Sequence, residues 1–79
     1  MVIKIKYYGI DTTNLPLTVE LPENSTIENL LDHISEIIND SRSSLLKSSM
    51  ILVNKAKADN KTSLHDKDEL HVLNVLGGG

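Results

Sequence analysis

The chain contains no cysteine, no tryptophan and no phenylalanine. Without cysteine it can form no disulfide, offers no thiolate nucleophile and builds no cysteine-ligated metal site. Two tyrosines are the only aromatics, and the formal net charge is −3 with basic residues scattered among acidic ones. A nucleic-acid surface needs a basic footprint and usually stacking platforms, so that partner class is set aside. No apolar run approaches the ~20 residues of a membrane-spanning helix. The opening Met1-Val2-Ile3-Lys4-Ile5-Lys6 alternates at once, where a signal peptide would show a long apolar core. These absences predict a cytoplasmic protein with neither a membrane nor a nucleic acid as partner. Glycine is also scarce: of four glycines, three stand together at the end.

That cluster is the first positive feature. At an average glycine usage of about 7 %, three in a row at one fixed place arise roughly once in three thousand times. Lacking side chains and tolerating positive φ, Gly77-Gly78-Gly79 form a thin segment that can thread a channel closed to any Cβ. Residues 76–79 are therefore expected to be a flexible tail. Its one distinctive group is the α-carboxylate of Gly79, a poor electrophile until something such as an ATP-dependent enzyme activates it. Chain ends are also commonly disordered and unused, and composition alone does not separate the two cases.

Seventy-nine residues make one domain with a small core. Val2 to Tyr8 alternates with period two, Ile3, Ile5 and Tyr7 on one face and Lys4, Lys6 and Tyr8 on the other, which predicts a half-buried strand. Gly9 to Asn14 is turn chemistry. Leu15 to Leu21 alternates again, with Leu17, Val19 and Leu21 expected inward, so the two strands form a hairpin. Ser25 and Glu28 have the spacing of a capping box. The apolar stripe Ile27, Leu30, Leu31, Ile34, Ile37, Ile38 then predicts an amphipathic helix over residues 26–39. Residues 41–49 read as a loop with room for a helical turn carrying Leu45 and Leu46. Met50 to Val53 is a third strand whose apolar run leaves both faces open as the buried one. Residues 54–60 are turn-rich, with space for a very short strand near Lys57-Ala58. Leu64 is a lone apolar anchor, Asp66-Lys67-Asp68 a tight turn, and Glu69 to Val75 the last strand. There Leu70 and Val72 face in, and His71, Leu73 and Val75 face out.

The order is β-β-α-β-(β)-β, an α+β domain over residues 1–75. One main helix covers one sheet face and leaves the other open. Leu73 and Val75 are apolar on that open side and sit beside the glycines. Contiguous exposed apolar residues mark partner sites. The candidate docking surface is thus Tyr8, His71, Leu73, Val75 and Leu76.

The element order and the terminal Gly78-Gly79 together resemble the ubiquitin-like β-grasp family. More narrowly, they resemble its prokaryotic sulfur carriers, the small subunit of molybdopterin synthase and the thiamine-pathway carrier. Val53-Asn54 sits where those carriers have valine-asparagine ending the third strand. Leu64-His65-Asp66-Lys67-Asp68-Glu69-Leu70 resembles their leucine-x-aspartate-glycine-aspartate turn into the last strand. Lys67 replaces the usual glycine. Asn74-Val75-Leu76-Gly77 stands where the molybdopterin-type carriers commonly have prolines. The resemblance implies a β-grasp fold with a mixed four- to five-stranded sheet. It also implies a carrier without catalytic residues or bound cofactor of its own. A partner enzyme would adenylate Gly79 with ATP and Mg²⁺, sulfur from a persulfide would displace AMP, and the thiocarboxylate would enter a sulfur-acceptor synthase subunit. In that scheme Gly77 and Gly78 thread the partner's channel. The same activated carboxylate serves a protein modifier joined to target lysines, and a non-covalent binding module is the third alternative.

Other constellations carry less. His33, His65 and His71 share no metal-ligand spacing, so no metal is expected. Asp66, Asp68 and Glu69 lack the glycine and the distant glutamate of a calcium loop. No serine stands in a nucleophile elbow, and Gly9 is alone where a phosphate-cradling loop would need several glycines.

Overall fold

A computed structural model describes residues 1–74. The elements are β1 (Val2–Tyr8), β2 (Thr18–Glu20), α1 (Ile27–Ile38), α2 (Arg42–Ser48), β3 (Met50–Val53), β4 (Ala56–Ala58) and β5 (Glu69–Leu73). The five strands form one sheet in the order β2-β1-β5-β3-β4. The central β1–β5 pair is parallel and the other pairs are antiparallel. This is the β-grasp arrangement, with five strands and two helices. Among the described residues no helix is long and apolar enough to cross a membrane.

The core follows from alternation in the two central strands. Ile3 and Ile5 of β1 and Leu70 and Val72 of β5 are buried, and Tyr7 packs half-buried beside them. The parallel register sets Ile5 beside Leu70 and Tyr7 beside Val72, so their side chains share one face. The uniformly apolar third strand is resolved by its partner. Ile51 pairs with Val72 and Val53 with Leu70, which turns both toward the helices and sends Met50 and Leu52 to the other side.

Helix α1 buries Ile27, Leu30, Leu31 and Ile34 against this face. Full burial of such side chains is worth about 1.5–3 kcal/mol each. Ile37, expected within the stripe, is 50 % exposed. At 100° per residue it stands about 80° from Ile27, at the rim of the apolar arc. The cap also lies one residue later than expected. The Ser25 hydroxyl donates to the Pro22 carbonyl at 2.8 Å and is thereby taken. Thr26 is the N-cap, and it forms the box with Asn29 rather than Ser25 with Glu28. The next two N–H groups of the helix, on Ile27 and Glu28, donate to Thr62 and Asn60 carbonyls at 3.1 and 3.0 Å. The 60–62 loop thus satisfies donors a helix end leaves over.

Residues 42–48, expected as loop with room for a helical turn carrying Leu45 and Leu46, form the helix α2. The Asp40 carboxylate accepts the Arg42 N–H at 2.8 Å and starts the helix. Leu46 is then buried in the common core, while Leu45 stays exposed. The Arg42 guanidinium also donates to the Asp11 and Thr13 carbonyls, both at 2.6 Å, tying α2 to the β1–β2 connection.

The second strand is shorter than its pattern. Only Thr18–Glu20 pair with Val2–Lys4. One more backbone bond, from the Ile5 N–H to the Leu17 carbonyl at 2.8 Å, follows; upstream of it Leu15 fills a core position, and Leu17, expected inward, is 64 % exposed.

Scarcity of glycine is met by asparagine. Asn14, Asn24, Asn39 and Asn54 all have positive φ, between 46° and 67°, where a short polar side chain lowers the cost. Lys55 (φ 71°) and Lys67 (φ 70°) do the same without that help. Asn54-Lys55 closes the two-residue β3–β4 hairpin, whose mirror-image turn prefers Asn-Gly.

Candidate functional site

On the sheet face away from the helices, the register lines up side chains in rows. Lys6, His71 and Leu52 form one row, and Tyr8, Leu73 and Met50 the next. Met50 and Tyr8 are exposed by 45 % and 47 %, and Leu52 and Leu73 are half-buried. The result is an apolar strip with a basic border at Lys4 and Lys6. Beside it runs an open trough of about 510 Å³, lined in part by Tyr8, Thr12, Leu17 and Thr18.

His71 is tied into this strip. Its Nε2 lies 2.8 Å from Glu69 Oε1, and Lys6 Nζ is 3.8 Å from the same oxygen. The hydrogen bond to His71, and then the Lys6 charge, hold the Glu69 carboxyl below its usual range. The Tyr8 ring meets the imidazole edge-on with centroids 5.7 Å apart. Tyr8, His71 and Leu73 thus stand together on one sheet face. Val75, Leu76, Gly77, Gly78 and Gly79 lie outside the described residues. Met50 and Leu52 belong to the same strip. The sequence does not single them out, because an unbroken apolar run hides which alternate residues face out.

The exit of β5 lies at the edge of the strip. Asn74 donates its N–H to the Tyr8 carbonyl at 2.9 Å and its side-chain Nδ2–H to the Gly9 carbonyl at 3.2 Å. Gly9 has φ +76°, and a Cβ built there would fall 2.4 Å from the Asn74 carbonyl oxygen. Only glycine fits both demands.

The opposite end of β5 holds the residues that carried the family resemblance. Asn54 donates to Asp68 Oδ1 at 2.9 Å and accepts the Glu69 N–H at 2.9 Å. The other oxygen of Asp68 accepts the His65 N–H at 2.8 Å. Asp66 accepts the Val2 N–H at 2.7 Å, and Lys67 donates its N–H to the Val2 carbonyl at 2.8 Å. These acidic residues are occupied by N–H donors, as a turn requires. His65 is solvated and His33 half-buried. Among the described residues no three metal-ligating side chains gather.

Fold, strip and network together define a ubiquitin-like β-grasp protein. The family comparison narrows this: the profile of the ThiS family matches residues 5–79. The chain belongs to that family of β-grasp sulfur carriers. A comparison with curated proteins returns no match. Among solved structures, SAMP1 from Haloferax volcanii superposes with TM-score 0.78 at 17 % identity, covering 100 % of both chains. A second structure, of H. volcanii small archaeal modifier protein 1, gives 0.74 at 16 %, covering 91 % of this chain and 94 % of that one. A putative molybdopterin converting factor, subunit 1, from Pyrococcus furiosus gives 0.69 at 20 %, covering 95 % and 98 %. At these identities the likeness establishes the fold.

Proposed function

We propose that this chain is a sulfur carrier acting through the carboxylate of Gly79. The observation that carries the proposal is the family match, which extends through all three terminal glycines. A partner activating enzyme supplies ATP and Mg²⁺. The Gly79 carboxylate oxygen attacks the α-phosphorus, pyrophosphate leaves, and an acyl-adenylate forms. A persulfide sulfur then attacks the carbonyl carbon and AMP leaves. A thiol of the donor splits the resulting acyl disulfide, is itself oxidised to a disulfide, and leaves a C-terminal thiocarboxylate. The loaded carrier passes its sulfur to an acceptor synthase subunit in molybdopterin-type or related biosynthesis. The chain's own residues supply docking: Tyr8, His71 and Leu73, joined by Met50 and Leu52, present the strip, with Val75 and Leu76 continuing the sequence toward the glycines.

Intact mass tests this, after incubation with the cognate activating enzyme, ATP and a sulfur donor. Exchange of one oxygen for one sulfur, absent when Gly79 is deleted, is the expected result. An unchanged mass overturns it and leaves a non-covalent binding module. A second reading is favoured by the full-length likeness to a protein called a small archaeal modifier. There the activated Gly79 forms an isopeptide bond with target lysines, and a covalent ladder on other proteins identifies it.

A further inference from the structure

We propose that Gly9 and Asn74 form a clamp that fixes where and in which direction the chain leaves the sheet, making both positioning residues for delivery of Gly79. The proposal rests on the sulfur-carrier reading above. The regular β1–β5 pairing ends at Tyr8–Leu73. Strand ends fray unless something ties them down. Here the last bond of the ladder, from the Asn74 N–H to the Tyr8 carbonyl, is followed by one side-chain bond beyond it, from Asn74 Nδ2–H to the Gly9 carbonyl. A carbonyl can be met only by the NH₂ of the amide, so the second bond selects asparagine over aspartate. Gly9 completes the fit. It is the one glycine in a body that elsewhere turns its chain with asparagine and lysine at positive φ. A tolerance for left-handed backbone therefore does not by itself explain it. What distinguishes Gly9 is the 2.4 Å approach of the Asn74 carbonyl to the place a Cβ would occupy.

The consequence is geometric. Residues 75–79 span at most about 17 Å when extended, and each residue peeled from the ladder adds about 3.5 Å of slack. A carboxylate delivered into an active site must arrive in near-attack geometry, and misplacement by about 1 Å can cost about a hundredfold in rate. Docking uses the strip, which the clamp does not form. Clamp and strip should therefore separate kinetically.

Full-length Asn74→Asp, isosteric but without the donor, tests this by ATP–pyrophosphate exchange with the cognate activating enzyme. We expect kcat to fall about tenfold while KM for the carrier stays within about twofold. The melting temperature should stay within about 3 °C. Unchanged kcat overturns the proposal, and so does a loss confined to KM or to melting temperature. Gly9→Ala, read on its folded fraction, should show the same split. Amide exchange at position 74, expected to be faster in Asn74→Asp than in the unmodified chain, judges the clamp without the enzyme, and equal exchange in the two overturns it. An Asn74 N–H exchanging as fast as an open chain overturns it. An inert unmodified chain whose Asn74 N–H is protected overturns instead the sulfur-carrier reading, and the delivery role with it.

Discussion

The two ends of β5 are built in opposite ways. At its start, side chains lock side chains: Asn54 and Asp68 satisfy each other and the N–H groups of Glu69 and His65. At its exit a single side-chain bond, from Asn74 to Gly9, supplements one backbone bond. The start carries the most recognisable residues of the sequence, and it is architecture. The exit leads to the proposed reactive carboxylate, and the residues beyond it are mostly glycine. Such a segment is marked in the sequence by its composition and not by side-chain chemistry.

The largest effect is expected at the start. Asp68 is 8 % exposed and holds two donors. Asp68→Ala leaves both without a partner, at a cost of about 3 kcal/mol. For a domain of this size the melting temperature falls by about 15 °C. Asn54→Ala should cost about 2 kcal/mol, and the double variant should fall short of the sum by about 1 kcal/mol or more, because the two share bonds. Thermal unfolding of the set measures this. Strict additivity would show that the two side chains act independently and that the network is a list of separate bonds.

Leu73→Asp moves the comparison to the exit. Leu73 is half-buried between Tyr8 and Met50. Losing that burial costs about 1 kcal/mol. Binding to the activating enzyme, followed by titration calorimetry, should weaken at least about tenfold. A stability loss matching that of Asp68→Ala would mean that Leu73 serves the core and not the strip.

How far the sequence could be read follows the same division. Alternation in β1 and β5 named the buried face because lysines in β1 and Glu69 and His71 in β5 mark the other one. Leu64 and the Asp66–Asp68 turn were visible because tight turns demand particular residues. Four things stayed hidden in whole or in part. Leu17 stands at the last bond between the two strands, and alternation does not announce its own end. Helix α2 depends on the Asp40 carboxylate and on Arg42 reaching carbonyls about thirty residues away in the chain, a tertiary bond no local pattern encodes. The strip gains Met50 and Leu52 only through pairing with β5. The Gly9–Asn74 contact joins residues with no shared motif. The fold was thus legible where residues answer to neighbours in sequence, and the candidate site only where its residues lie on alternating strands.

A pH effect probes the exit side of β1. Tyr7 donates its hydroxyl to the Pro16 carbonyl at 2.6 Å. Burial pushes its pKa up from 10.0 to about 12. The folded state therefore keeps a proton that the unfolded chain gives up first. This contribution is complete below pH 10 and is lost as the pH rises through 12. Tyr7→Phe should cost about 1 kcal/mol at neutral pH through the lost bond, and should flatten the alkaline fall in stability. Tyrosinate absorbance should show a tyrosine still protonated well above pH 10. If the variant destabilises in alkali as steeply as the parent, the burial of Tyr7 is not the source of that fall.

The smallest effect is a gain, and it returns to the start of β5. Lys67 holds φ 70° where the related carriers commonly have glycine, and its N–H is bonded to Val2. A left-handed backbone costs an L-residue about 1–2 kcal/mol. Glycine escapes that cost but gives back about 0.4–1 kcal/mol through the greater freedom of its unfolded chain. Lys67→Gly should therefore stabilise by about 0.5–1 kcal/mol and raise the melting temperature by about 4 °C. Because the start of the strand is architecture, adenylation kinetics should not change. Asn74→Asp should do the reverse, slowing adenylation at constant melting temperature. If Lys67→Gly altered the rate, the two ends of β5 would not divide stability from delivery, since a change at the start would have reached the tail along the strand.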